Sequence, residues 1–267
     1  MDREPAVAGS FYPADPARLA REVAALVGPA PAAAPRPALG VLAPHAGYVY
    51  SGAVAGAMYA RVTVPERALV LCPNHTGRGA RVALWPAGGA WKTPLGRVPI
   101  DAALTASLGA CPLVEGDRDA HLAEHALEVQ LPFLQVLRPG IALAALCLGP
   151  LSAREEEQLG HAISDAVRRR PALLVASSDM SRHLPDAAAR RVDRRALDRL
   201  LALDALGLRE TVHRERISMC GVVPAAVMLV AARDLGAREA ELVSYSTSGD
   251  VTGDHGSVVG YAGAIVR

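Results

Sequence analysis

Three short apolar runs in this chain end in residues able to do chemistry. Ala38 to Ala43 is followed by Pro44-His45-Ala46-Gly47-Tyr48, and Ala68 to Cys72 by Pro73-Asn74-His75-Thr76-Gly77. Leu173 to Ala176 is followed by Ser177-Ser178-Asp179. If these runs are parallel strands, His45, His75 and Asp179 all leave the sheet at its carboxyl edge, where open α/β sheets bind ligands. Two imidazoles and a carboxylate gathered there suit a metal ion or general acid–base work. A solitary histidine at a strand end is usually just a hydrogen-bonded loop residue. Two in matching proline-containing turns favour a shared site. Cys220 is the fourth candidate. It precedes Gly221-Val222-Val223-Pro224 at the start of a predicted helix, where a thiol loses its proton more readily, and the glycine permits close approach of a ligand. The competing account is a small buried hydrophobe, which is the reading for Cys72, Cys147 and Cys111.

The segment His121-Leu-Ala-Glu124-His125-Ala-Leu-Glu128 contains the string His-x-x-Glu-His of inverted zinc peptidases. Such a site needs a distant third ligand, and no residue is marked out for that role. His121 instead reads as part of an exposed polar helix face backed by apolar residues, while Glu124, His125 and Glu128 form a polar edge reaching the site at the strand ends. Gly249-Asp250-Val-Thr-Gly253-Asp254-His255-Gly256 is a glycine-rich loop whose backbone N–H groups suit an anion. It lacks the lysine and spacing of a phosphate loop, so a hairpin turn is the better account, one that still allows the loop to border the pocket. Phe11, Tyr12 and Tyr48 either line a pocket wall or pack, in a chain with only 4% aromatic residues.

The elements that position these residues alternate. Further apolar runs at Ile141 to Leu148, Glu241 to Ser246 and Ser257 to Val266 read as strands. Helices are predicted over Pro16 to Leu26, from the capping box Ser152-x-x-Glu155 to Arg170 before Pro171, over Asp186 to Leu203, and after Cys220. Alternation of this kind predicts an α/β protein, a layered α/β/α domain around a mostly parallel or mixed sheet, with residues 1–267 as one domain. The proline-rich stretch Gly28 to Pro37 reads as a connector.

The 28 basic and 27 acidic residues leave a formal charge of +1. The usual electrostatic reason to expect nucleic acid or an anionic membrane is therefore missing. The longest apolar run, Val222 to Ala232, is too short to span a bilayer. The charged start Met-Asp-Arg-Glu-Pro does not resemble a signal peptide, and four scattered cysteines do not form a disulfide framework. The expectation is a cytoplasmic protein with a small molecule or peptide in its pocket.

At these residues the chain resembles the MEMO family, and within it the AmmeMemoRadiSam system protein B branch. The likeness runs through Arg3-Glu-Pro-Ala-Val-Ala-Gly-Ser-Phe-Tyr12, Pro44-His45-Ala-Gly-Tyr48, Pro73-Asn-His75-Thr-Gly77, Glu124-His125, Ser177-Ser-Asp179, Cys220-Gly221 and Tyr245-Ser-Thr-Ser-Gly-Asp250. It implies the LigB-like fold of class III extradiol dioxygenases, which hold non-haem iron with two histidines and a glutamate. By that likeness His45, His75 and Cys220 are the metal ligands, Cys220 replacing the glutamate, with Asp179 beside them. Iron is the implied metal, and a thiolate's softness also admits copper or zinc. Acid–base roles would fall to Asp179, His125 and His183. The family's usual histidine, three residues after the aspartate, is here Arg182, which suits an anionic ligand, and His183 lies one residue late. Pocket positions are Phe11, Tyr12, Tyr48, Glu124, Glu128, Arg182 and Asp250. The resemblance implies either a metal-dependent oxidoreductase or a binding protein, with an AMMECR-type protein and a radical SAM enzyme as partners.

Overall fold

The computed structural model describes residues 1–29 and 34–267, so the connector read over Gly28 to Pro37 lies partly outside the described residues. In chain order the elements begin α1 (Pro16–Val27), β1 (Gly40–Ala43), α2 (Tyr48–Tyr59), β2 (Arg67–Pro73), β3 (Val82–Leu84), β4 (Ala90–Thr93), β5 (Gly96–Pro99), α3 (Ala102–Gly109), β6 (Glu115–Gly116), α4 (Asp119–Leu122) and α5 (Leu131–Leu137). They continue with β7 (Ala142–Leu148), α6 (Ala153–Arg169), β8 (Leu173–Ser177), β9 (Arg182–Leu184), α7 (Asp186–Leu201), α8 (Ala205–Arg214), α9 (Val222–Asp234), β10 (Ala240–Thr247), α10 (Gly249–Thr252) and β11 (Val258–Val266).

The main sheet runs β10-β11-β1-β8-β2-β7-β3-β6, with β9 paired to β11. Its centre, β1-β8-β2-β7, is parallel, and antiparallel strands flank it on both sides. The sheet is therefore mixed. The central strands read as continuous apolar runs because both faces are covered. Side chains alternate between the two cores. Leu42, Leu69, Leu71, Leu146 and Leu174 enter the core under α6, α8 and α9, while Val41, Val70, Ala145 and Val175 enter the one under α1, α2 and α5.

Helix α6 starts where its sequence predicts. Ser152 accepts from the Glu155 backbone N–H, and Glu155 reaches back to the Ser152 backbone. The last two predicted strands are present as β10 and β11, antiparallel neighbours. The segment 119–130 departs from its helical reading. Helix α4 stops at Leu122, and the Glu124 carboxylate takes the Ala126 backbone N–H for itself at 2.9 Å. A side chain that satisfies nearby backbone donors competes with helix continuation. Among the described residues no helix is long and apolar enough to cross a membrane.

Candidate metal centre

Strands β1, β2 and β8 are parallel neighbours in register, so the residues after them emerge together. His45 follows β1, His75 follows β2, and Asp179 follows β8. The imidazoles of His45 and His75 lie 5.1 Å apart, centre to centre, edge to face. His125 enters from the turn after α4 and stacks on His75 at 4.9 Å. One ligand atom from each of the three histidines lies within 4.8 Å of the others. Metal–nitrogen bonds of about 2.0–2.1 Å place tetrahedral donors roughly 3.4 Å apart, so a small inward adjustment gathers all three on one ion.

Both rings from the strand ends are held from behind. The Ser177 hydroxyl gives its hydrogen to the Ala126 carbonyl at 2.6 Å and accepts from Gln130 at 3.0 Å. His45 Nδ1, 3.0 Å from that oxygen, is therefore a donor, and its Nε2 is turned to the site. Glu124 receives the His75 backbone N–H at 2.7 Å and faces His75 Nδ1 at 2.9 Å. A carboxylate behind an imidazole fixes its tautomer and raises its basicity, as it does behind metal-bound histidines. Glu124 is fully buried, and its bonds to His75 and Ala126 hold it ionised, well below the usual carboxyl range, against the opposing effect of burial.

Cys220 Sγ lies 3.1 Å from His45 Nε2. Burial alone would raise its pKa, but the charge of His45 and hydrogen bonds from His45 and His75 outweigh that and bring it to about 5. Burial lowers the pKa of His75, yet its bonds to Cys220 and Glu124 carry it up to about 10. His125 moves the other way, to about 4, through burial and the neighbouring charge of His45. The thiol is thus the anionic member of the group. Gly221 serves the chain rather than a ligand: a Cβ there would lie 2.3 Å from the Ser177 carbonyl oxygen. Only glycine lets this segment close on β8 and deliver Cys220.

Asp179 backs the group from β8. Its Oδ1 accepts the His45 backbone N–H at 2.8 Å, and its Oδ2 lies 3.9 Å from His45 Nε2. Arg182 Nη2 reaches Asp179 at 3.3 Å and Cys220 at 3.5 Å. Phe11 packs against the His125 ring at 4.8 Å.

Other candidate residues lie elsewhere or act indirectly. Glu128 is buried in an ion pair with Arg3 and also accepts from Tyr12 and from the backbone of Ala6 and Val7. It clamps the N-terminal segment that carries Phe11. Tyr48 hydrogen-bonds the Val129 carbonyl at 2.7 Å and packs on Phe133 and Tyr12, so both tyrosines are wall rather than lining. His183 has φ 61° and is exposed, with no side-chain hydrogen bond among the described residues. It stays outside the group, because the alternation of β9 turns Arg182 inward. Asp250 is held by Arg190 at 2.7 and 2.8 Å, in a different cluster. His121 is not on an exposed face. It is fully buried between Trp85 and Trp91, its Nε2 3.0 Å from the Ala83 carbonyl. It therefore does not join His125 in a peptidase-type pair. Its burial was hidden because its two tryptophan neighbours come from distant places, Trp85 just after β3 and Trp91 in β4. Ser177 and Gln130, which orient His45, were also missed; serine and glutamine carry no spacing signal for that role.

An α/β sheet with two histidines and a cysteine gathered at the carboxyl ends of its parallel strands defines a class of protein with a candidate metal-binding pocket. A solved structure of an uncharacterized protein from Escherichia coli K12 shares the fold, with a TM-score of 0.52 over 85% of this chain and 98% of that one, at 15% identity. The family model described as Memo-like protein matches residues 3–265. A MEMO1 family protein of Methanopyrus kandleri is 42% identical over 286 residues, covering 100% of this chain and 99% of that protein. MEMO1 family proteins of Methanothermobacter thermautotrophicus and Aquifex aeolicus are 42% and 40% identical, each covering 98% of this chain and 99% and 98% of their own lengths. The chain belongs to the Memo-like family.

Proposed function

We propose that the protein binds one divalent transition metal, iron in the first instance, on His45, His75 and Cys220, with His125 closing the fourth side, and that it works as a metal-dependent oxidoreductase. The observation that carries this reading is the pair of imidazoles fixed from behind at Nδ1 and facing a thiol 3.1 Å from His45 Nε2. Donors already oriented by buried partners are what a metal site requires. Nitrogen and thiolate donors suit iron, copper and zinc better than magnesium or calcium. When bound, such a metal supplies Lewis acidity and, for iron or copper, electron transfer. The protein's part is to orient the two imidazoles through Ser177 and Glu124, to hold Asp179 beside them, and to cover the site with Phe11.

Cobalt(II) titration of metal-free protein tests the ligand set. One ion per chain is expected, with a thiolate-to-cobalt charge-transfer band that is lost in Cys220→Ser. Cobalt binding without that band removes Cys220 from the set, and absence of binding removes the proposal. Anomalous scattering from protein purified without chelator then identifies the resident element. Oxygen uptake by the iron-loaded protein decides between catalysis and binding alone.

A further inference from the structure

We infer that Arg182 is the anion-recognition residue of this pocket, and that the ligand taken there is a small organic carboxylate with an apolar body. The inference deepens the metal-site reading and rests on it only for the location of the pocket. Two arginines at this end of the sheet show what distinguishes Arg182. Arg190 is tightly paired through Nε and Nη2: its Nε lies 2.7 Å from Asp186, and its Nη2 lies 2.7 and 2.8 Å from the two oxygens of Asp250, leaving Nη1 alone without an acceptor among the described residues. Arg182 has only two side-chain acceptors, both on Nη2, at 3.3 Å and 3.5 Å. Charge-assisted bonds normally close to about 2.7–2.9 Å. Arg182 Nε is buried with no acceptor, and Nη1 has none among the described residues. A guanidinium carries five N–H donors in a planar fork, so three of these five have no acceptor among the described residues.

The surroundings hold this side chain at the site. The Arg182 backbone N–H is fixed by Ser218 at 2.7 Å, two residues before Cys220. The next residue, His183, takes a positive φ of 61° and is exposed. The side chain is 33% exposed, so a ligand entering from solvent meets it. Asp179 meets Arg182 only through Oδ2 on Nη2, while its Oδ1 accepts the His45 backbone N–H. Apolar surface borders the histidines: Phe11 packs on the His125 ring, and Tyr50, in the first turn of α2 shortly after His45, is 40% exposed. A carboxylate on the arginine fork with an apolar body against Phe11 satisfies both halves of the pocket.

Benzoate and its neutral isostere benzamide test this by calorimetry, on metal-free and on metal-loaded protein. In the wild type, benzoate binds at least about tenfold more tightly than benzamide, the lower end of what a charged hydrogen-bonded pair contributes. The preference is present without metal, disappears in Arg182→Met and is only partly kept in Arg182→Lys, which has the charge but not the fork. The ¹⁵N resonance of Arg182 Nε shifts on adding benzoate to the wild type, a readout that needs no variant to fold. Equal affinity for the two probes, no benzoate binding at all, or a preference that survives in Arg182→Met overturns the inference and makes Arg182 only a brace for Asp179 and Cys220. Failure of the cobalt titration with benzoate selectivity intact would sink the metal reading alone.

Discussion

His45, His75 and His125 bring three ligand atoms within 4.8 Å of one another, and so do Asp186, Asp250 and His255. By composition the two groups are equally good metal sites, but their hydrogen bonds differ. In the first, His45 and His75 use Nδ1 on Ser177 and Glu124 and turn their other nitrogen inward. In the second, Arg190 holds both carboxylates, Thr247 donates to Asp186 at 2.6 Å, and Ser246 and the Thr247 backbone donate to Asp250. Each of the four carboxylate oxygens already accepts a hydrogen bond, and Arg190 offsets one of the two negative charges. Imidazoles with one nitrogen anchored and the other turned to a shared centre make a site; carboxylates already paired to an arginine make a brace.

The sharpest way to break this comparison is to remove donors from each group and titrate metal. His45→Gln is expected to lower zinc or cobalt affinity by at least about 10²-fold, beyond the usual loss from an outer-shell partner. The double variant Asp250→Asn/His255→Gln is expected to bind with wild-type affinity and a stoichiometry of one. Calorimetry with a competing chelator measures both. If the double variant loses affinity as His45→Gln does, the two groups are not different in kind.

A second contrast lies within one stretch of chain. His125 faces the candidate site, whereas His121, four residues earlier, is sealed between two tryptophans. His121 Nε2 serves the Ala83 carbonyl and Nδ1 has no partner, so a second proton would be buried without an acceptor. Burial accordingly lowers its pKa to about 4. The unfolded chain takes up this proton near pH 6.5, and the folded chain resists it until about pH 4. Between these values the unfolded state binds more protons, so stability falls as pH is lowered. A shift of this size corresponds to about 3 kcal/mol at full development. Urea unfolding from pH 7 to pH 4 should show this loss in the wild type and a flatter profile in His121→Phe. A wild-type profile equally flat would mean that His121 protonates freely in the fold.

The same segment shows how far a sequence carries. Apolar runs ending in His45, His75 and Asp179 were legible because a strand covered on both faces leaves a continuous signal. The capping box at Ser152 and Glu155 was legible because both partners are local. His125 was recognised as a site residue, but its route there was not. Helical spacing groups it with His121 and Glu128, while the fold separates all three. The cause is tertiary: Glu124 reaches to the backbone of His75, 49 residues away, and Glu128 to Arg3, 125 residues away. Asp250 was placed at the pocket by its glycine-rich loop. Its partner Arg190 lies 60 residues upstream on a helix, and no local pattern announces that pairing.

The smallest expected effect follows from that pairing. Asp250→Asn removes a charge whose side chain, like that of Arg190, is 39% exposed. At this exposure solvent and salt screen the pair, and such bridges contribute about 0–1 kcal/mol. Asparagine keeps an oxygen for the Thr247 backbone N–H, and Arg190 retains Asp186 and its position near the Tyr245 ring. Thermal unfolding of Asp250→Asn should therefore differ from wild type by less than about 1 kcal/mol, and less still at high salt. A loss of several kcal/mol would mean that Asp250 carries far more than a solvated brace, and the contrast between the two clusters would have to be redrawn.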